Sequence, residues 1–185
     1  MQNEHVHDAE RRMEKSVEAF KHEISKVRTG KATTALLDGI KVDYYGTMTP
    51  INQVGNVSVL DAHTLSITPW DKSMVEKVDK AILQAELGLN PQSDGTNLRI
   101  PIPPLTEERR KDLVKLVKKF AEDAKIAIRN VRRDANDHLK RQEKNKEISE
   151  DMMHDFEDEV QKLTDKYIKK IDEILAEKEK DIMEI

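Results

Sequence analysis

The chain has 185 residues, a net charge of −4 and no cysteine, so it has room for one domain or two small ones and excludes disulfides and cysteine-based metal centres. Charged residues make up 37 % and aromatics 4 %, a balance that fits long solvated helices with narrow aliphatic seams. No apolar run is long enough to span a membrane and the opening MQNEHVHDAERR lacks the apolar core of a signal peptide, which makes the cytoplasm the expected location.

Residues 1–29 are expected to form a first helix. Val6, Ala9, Met13, Val17, Phe20, Ile24 and Val27 recur at spacings of three and four, the period of one helical face. Gly30 is a natural terminator.

The texture then changes, for all six prolines and five of the six glycines lie between Lys31 and Pro104. Ile40, Val42 and Tyr44 alternate with polar residues, as do Val57-Ser58-Val59 and Leu65-Ser66-Ile67, which predicts strands with Asp61-Ala62-His63-Thr64 as a turn. Asp71 is placed to cap a helix carrying Met74, Val75, Val78, Ile82 and Leu83 and ending at Gly88. Leu98, Ile100 and Ile102 form a last strand, whose Pro101 points to a sheet edge. Residues 30–105 are therefore expected to be a small α+β module.

Helical texture resumes after Pro103-Pro104. Thr106 is positioned as an N-cap, and Glu107 and Glu108 suit the positive end of a helix. The pattern runs to about Asn145. Ser149 then caps a third helix bearing Met152, Phe156, Val160, Leu163, Tyr167, Ile171, Ile174 and Ile182, with Lys178 interrupting the stripe. Amphipathic helices of this length need a partner for the apolar face, so residues 1–29 and 106–185 are expected to form a long antiparallel three-helix bundle. The fold class is α+β with two domains, the module being inserted between the first two helices. Its two crossings, Thr29-Gly30 and Pro103-Pro104-Leu105, then lie close together and describe a hinge.

The second helix sorts its charges by face. At about 100° per residue, Leu113, Val117, Phe120, Ala124, Ile128, Val131, Ala135 and Leu139 share an apolar arc. Arg110, Lys111, Lys115, Lys118, Lys125, Arg129, Arg132, Arg133 and Lys140 share a cationic one. Asp112, Asp123, Asp134 and Asp137 fall on the far side, while Glu122 and Glu143 intrude on the basic stripe and Arg109, Lys119 and Arg141 lie outside it. Residues 107–147 carry 14 basic and 9 acidic side chains, and residues 148–185 carry 6 and 13. One flank of the bundle should thus remain attractive to polyanions. An ordinary solvated face is the competing reading, since Lys118–Glu122 and Arg133–Asp137 are spaced for intrahelical pairs. Three arginines within five residues favour phosphate contact, arginine being suited to bidentate pairing. With few aromatics for base stacking, phosphate and shape recognition of a structured RNA is indicated over base readout.

No catalytic constellation is present. Phosphate-binding glycine loops, the nucleophile elbow and His-Glu-x-x-His are all missing. No metal or cofactor is expected; His5 and His7 lie near the terminus, and the carboxylates Asp151, Asp155, Asp158 and Glu159 read as a solvated face. A helical adaptor, or an enzyme with a site around Asp71, are the remaining alternatives.

Several segments together carry a resemblance. They are Ile24-Ser25-Lys26-Val27-Arg28-Thr29-Gly30-Lys31-Ala32, Leu36-Leu37-Asp38-Gly39-Ile40, Tyr44-Tyr45-Gly46-Thr47 and Leu87-Gly88-Leu89-Asn90-Pro91. Further on come the run from Arg99 through Pro103-Pro104 to Lys111, Arg129-Asn130-Val131-Arg132-Arg133-Asp134-Ala135-Asn136, and Glu147-Ile148-Ser149-Glu150-Asp151. The chain resembles the bacterial ribosome recycling factor family over nearly its whole length, with Lys31 where the family often has arginine. The resemblance implies a monomeric, non-enzymatic translation factor without cofactor. Such a factor binds the large ribosomal subunit after termination and, with elongation factor G and GTP, splits the post-termination complex. It also implies rRNA contacts by Arg132 foremost, with Arg129, Arg110, Arg109, Arg133 and Arg28 in support, and a hinge at Thr29, Gly30, Lys31, Pro103, Pro104 and Leu105.

Overall fold

A computed structural model describes residues 2–184. The chain divides into two compact units, one comprising residues 1–27 and 110–185, the other residues 28–109.

The first unit is built from three helices: α1 (Glu4–Ser25), α3 (Glu107–Lys144, which begins in the second unit) and α4 (Glu150–Met183). Their starts follow from local chemistry. The Asn3 side chain accepts from the His5 amide, the Thr106 hydroxyl from the Arg109 amide and the Ser149 hydroxyl from the Met152 amide, each satisfying a donor that the helix cannot. α1 stops at Ser25 rather than running to residue 29. Its last turn tightens as the Lys26 and Val27 amides bond back to Glu23 and Ile24, which leaves Val27 half-buried beyond the helix. α3 ends where Lys146 takes a left-handed φ of 62°. There the Glu147 amide reaches Gln142 O and the Lys146 amide reaches Glu143 O, closing the orphan carbonyls of the last turn.

Contacts fix the helix directions. Asn3 bonds Gln142 and Arg12 bonds Asp134, so α1 and α3 are antiparallel. Lys125 pairs with Asp172, while Arg110 reaches the carbonyls of Ile182 and Glu184, so α3 and α4 are antiparallel as well. The shared core takes Met13, Val17 and Phe20 from α1, Val117, Ile128 and Leu139 from α3, and Val160, Tyr167 and Ile171 from α4. One expected core pair is displaced: Phe120 and Ala124 are only half-buried, and Ala121 is buried instead. The apolar arc is therefore turned slightly at mid-helix, and the small Ala121 permits close helix approach. In α4 the buried Thr164, its hydroxyl donating to Val160 O at 2.8 Å, continues the core where Leu163 and Ile174 are half-buried. Lys178 does interrupt the stripe, and desolvation lowers its ammonium pKa against the opposing pull of Asp181.

Tyr167 is the largest buried side chain of this unit, and its hydroxyl donates to Glu14 across the α1–α4 seam at 2.9 Å. Burial first, and then that bond to Glu14, push the phenol pKa well above its ordinary value. The folded state thus prefers the neutral phenol. Its stabilisation is complete below the unfolded pKa of about 10 and is lost as pH rises towards the folded one. Tyr167→Phe should cost about 1 kcal/mol at neutral pH. Alkaline unfolding curves should show the parent losing that advantage above pH about 10, with the variant flatter there.

The second unit holds β1 (Lys41–Tyr44), β2 (Thr47–Pro50), β3 (Gly55–Asp61), β4 (Thr64–Pro69), α2 (Val75–Gln84), β5 (Gln92–Ser93) and β6 (Leu98–Pro101). β1 and β2 form a hairpin through Tyr45-Gly46, both at positive φ, the geometry of a tight two-residue turn. The other strands form an antiparallel sheet in the order β3-β4-β6-β5. Leu65, Ile67, Leu98 and Ile100 on the sheet share a core with Val75, Val78 and Ile82 of α2. Asp71 caps the short turn that leads into α2, accepting from the Ser73 amide at 3.0 Å.

Pro101 does not mark an edge strand, because β6 lies between β4 and β5. The two-residue β5 pairs only Leu98 and Arg99. The Ile102 amide points to His63 O on the β4 side, so by alternation position 101 faces the other way, past the end of β5. The ladder loses nothing to the missing N–H.

Candidate nucleic-acid interface

α3 presents its cations along the side that its apolar seam leaves to solvent. Leu113, Val117, Ile128, Val131, Ala135 and Leu139 are buried, whereas Lys111, Lys115, Lys118, Arg133 and Lys140 are exposed and Arg129 and Arg132 half-exposed. Few of these cations are equivalent once their partners are traced.

Lys118 meets Glu179 at 3.9 Å and Lys125 pairs with Asp172, both across the α3–α4 seam. Arg129 meets Glu122 at 3.5 Å, a link two turns apart on the same helix. The pairs that simple spacing favoured, Lys118–Glu122 and Arg133–Asp137, do not form among the described residues: Lys118 turns to Glu179 across the seam, and Glu122 is taken by Arg129. Arg132 donates to a neutral acceptor, Gln161 Oε1, at 3.4 Å. Arg133 has no ion-pair partner among the described residues.

Three further candidates have other duties or another address. Arg110 donates from Nη1 to Ile182 O at 3.1 Å and Glu184 O at 2.8 Å, satisfying carbonyls at the end of α4 that would otherwise lack donors. Arg28 donates to Leu87 O at 3.2 Å in the loop after α2. Arg28 and the exposed Arg109 belong to the second unit, whereas Arg110, Arg129, Arg132 and Arg133 belong to the first. The structure therefore gathers Arg129, Arg132 and Arg133 within one continuous turn and a half of α3, and gives Arg110 and Arg28 anchoring work.

The expected hinge segments meet inside the second unit. Gly30 has φ 77°, and a Cβ there would lie 3.4 Å from Leu105 Cγ, so the two crossings touch. His63 Nδ1 donates to Gly30 O at 3.0 Å. The Ala32 amide reaches Ala62 O and the Ile102 amide reaches His63 O, each at 2.8 Å. The turn between β3 and β4 thus ties both crossings, a role for His63 that sequence reasoning did not assign. Pro103 and Pro104 are exposed, and Thr29, Lys31 and Leu105 half-buried.

Other residues weighed for chemistry are structural. Asp71 accepts from the Tyr45 hydroxyl as well as from Ser73, and these bonds, Tyr45 foremost, hold its carboxyl below the ordinary value. The same bond pushes the Tyr45 phenol up. His5 stacks on His138 with ring centroids 4.6 Å apart, joining α1 to α3; equivalent spacing rules do not connect them in sequence. No group of three or more His, Asp or Glu side chains suited to a metal ion occurs among the described residues. No helix among them is long and apolar enough to cross a membrane.

Comparison with known proteins bears on this surface. A family model described as "Ribosome recycling factor" matches residues 20–183. The chain is 58 % identical over 178 residues to the ribosome-recycling factor of Thioalkalivibrio sulfidiphilus, with 96 % of both chains covered. It is 57 % identical over the same length to that of Nitratidesulfovibrio vulgaris, again covering 96 % of both. The solution structure of a ribosome recycling factor superposes with a TM-score of 0.79 at 44 % identity, covering 100 % of both chains. A second structural relative, at TM-score 0.65, 44 % identity and 97 % coverage of both chains, is the T. thermophilus ribosome recycling factor in models that place it with the E. coli elongation factor G on the E. coli post-termination complex.

Proposed function

Because the chain belongs to the ribosome recycling factor family, we propose that it is a translation factor that binds the large ribosomal subunit after termination and, with elongation factor G and GTP, splits the post-termination complex. The observation that carries this reading is the match to ribosome-recycling factors at up to 58 % identity across 96 % of both chains. The structural relative seen with elongation factor G on a post-termination complex supports the choice of partners. The factor works in the cytoplasm as a monomer and performs no covalent chemistry of its own; GTP hydrolysis on elongation factor G supplies the energy.

The cationic side of α3 is the surface that docks on rRNA phosphates. Arg132 is its principal anchor, with Arg129 and Arg133 beside it. Arginine forks match phosphate oxygens in pairs, and these three are the densest cluster of arginines on α3. Arg109, in the other unit, is a supporting candidate. Arg110 and Arg28 rank lower, because carbonyls of the chain itself already hold their guanidinium groups. The crossings at Thr29-Gly30-Lys31 and Pro103-Pro104-Leu105 are the hinge about which the two units reorient when elongation factor G acts. The two bodies of this device are residues 1–29 with 106–185 and residues 30–105, bounds that lie two to four residues from those of the compact units.

The decisive test is sedimentation of post-termination ribosomes incubated with this protein, elongation factor G and GTP. Free subunits should appear only when all three are present. Subunit release without elongation factor G, or none with the full set, would overturn the assignment.

A further inference from the structure

Along the α3–α4 seam the cations of α3 recur every seven residues: Lys118, Lys125 and Arg132. Seven residues make nearly two turns of helix, so the three share one line. Their opposite numbers on the antiparallel α4 descend in the same step. Lys118 meets Glu179 and Lys125 meets Asp172. The next carboxylate in that register is Asp165, which would stand opposite Arg132.

The pattern breaks there. The Gln161 side-chain amide, one turn before Asp165, donates from Nε2 to Asp165 Oδ1 at 2.9 Å. A carboxylate only accepts, so the amide nitrogen must face it, and the amide oxygen is left for Arg132. Arg132 Nη1 donates to that oxygen at 3.4 Å and forms no ion pair among the described residues. The first two cations of the line are thus neutralised by α4, while the third is held by a neutral group.

We propose that Gln161 is a positioning residue for RNA binding: it diverts Asp165, orients the Arg132 guanidinium without discharging it, and so reserves that charge for a phosphate. This rests on the reading of Arg132 as the rRNA anchor. The physical advantage is specific. An arginine already paired with a carboxylate must exchange one anion for another on binding, and the carboxylate it leaves attracts a cation that offsets the one released by the RNA. An unpaired arginine brings a full charge and contributes its share to the salt dependence of RNA association. A helix as acidic as α4, with 13 carboxylates in residues 148–185, would otherwise quench the anchor.

The test measures binding of the full-length protein to purified large ribosomal subunits over a series of KCl concentrations. Arg132→Ala should weaken binding about tenfold, equal to about 1.4 kcal/mol, and flatten the salt slope by about 1. Gln161→Ala releases Asp165 to pair with Arg132, and should weaken binding about threefold with a flattened slope. The double variant Gln161→Ala with Asp165→Asn removes the competing carboxylate and should restore most of the affinity and the slope. All three sites are solvent-accessible helix positions, so the variants should melt close to the parent's midpoint. Parental affinity for Gln161→Ala would overturn the role of Gln161. So would a weakened Gln161→Ala that Asp165→Asn fails to rescue, since Gln161 would then be touching the RNA itself. Parental affinity for Arg132→Ala would instead remove the anchor, a different failure that the same titration separates.

Discussion

A disulfide between cysteines introduced one into each unit should abolish splitting of the post-termination complex while leaving affinity for the large subunit unchanged. The expectation follows from the division of labour between the two units. Binding is assigned to the side of α3, which a link to the other unit does not alter. Splitting is assigned to a change in orientation about two crossings that touch at Gly30 and Leu105. Two adjacent short connections are how hinged domains are built, and here the turn between β3 and β4 holds the two side by side. The chain has no cysteine of its own, so the engineered pair would be the only thiols present, and reduction offers an internal control. Oxidised protein should bind but not split, and reduced protein should do both. Oxidised protein that still splits would show that reorientation is not required.

Gly55→Ala should be the most damaging small substitution in the second unit, costing about 3 kcal/mol. An added Cβ at Gly55 would lie 2.6 Å from Thr68 O and 2.7 Å from Pro69 Cα, both backbone atoms of the paired strand β4. No side chain can rotate away to relieve the contact, so the strands must separate where β3 begins and β4 ends. The backbone of Gly55 is otherwise ordinary, and the problem is space. Gly95 makes the useful contrast. Its φ is 97°, which disfavours an L side chain, yet nothing lies within 4 Å of a Cβ there. Gly95→Ala should therefore cost about 1–2 kcal/mol through backbone strain alone. Chemical denaturation of the two variants would rank them, and a Gly55→Ala protein as stable as the parent would refute the packing argument.

These two glycines show where the sequence is legible and where it is not. Helix starts were readable because capping is local: Thr106, Ser149 and Asp71 carry their own acceptors to amides two or three residues on. The long helices were readable because their apolar period persists over many turns. β3 and β4 announced themselves by alternation. β5, two residues long and with both side chains exposed, has no pattern to detect, and β2 exposes or half-exposes all four of its residues. The role of Pro101 was misjudged because an edge is a property of the neighbour's length as well as of the strand. Within the candidate interface, residue type and helical angle located the cationic side, but they could not rank its members. That ranking depends on partners distant in sequence. Arg110 is tied to Ile182 and Glu184, Lys125 to Asp172, and Arg132 to Gln161. Neither helix by itself says which residue of the other will stand opposite a given side chain. The contact of His63 with Gly30 was hidden for the same reason.

The seven-residue rhythm shared by α3 and α4 also bears on how chains of this architecture can change in length. Inserting one residue between Lys118 and Arg132 would turn everything downstream by about 100°. Arg132 would leave its side of the helix, and every seam partner beyond the insertion would be mismatched. The loop at Asn145–Ile148 stands outside that constraint, because added residues there leave the phase of both helices intact. Gains and losses of single residues should thus be tolerated in that loop and eliminated from the helices on either side, so that the seam acts as a frame that keeps the ruler of the molecule fixed while its corner is free to vary.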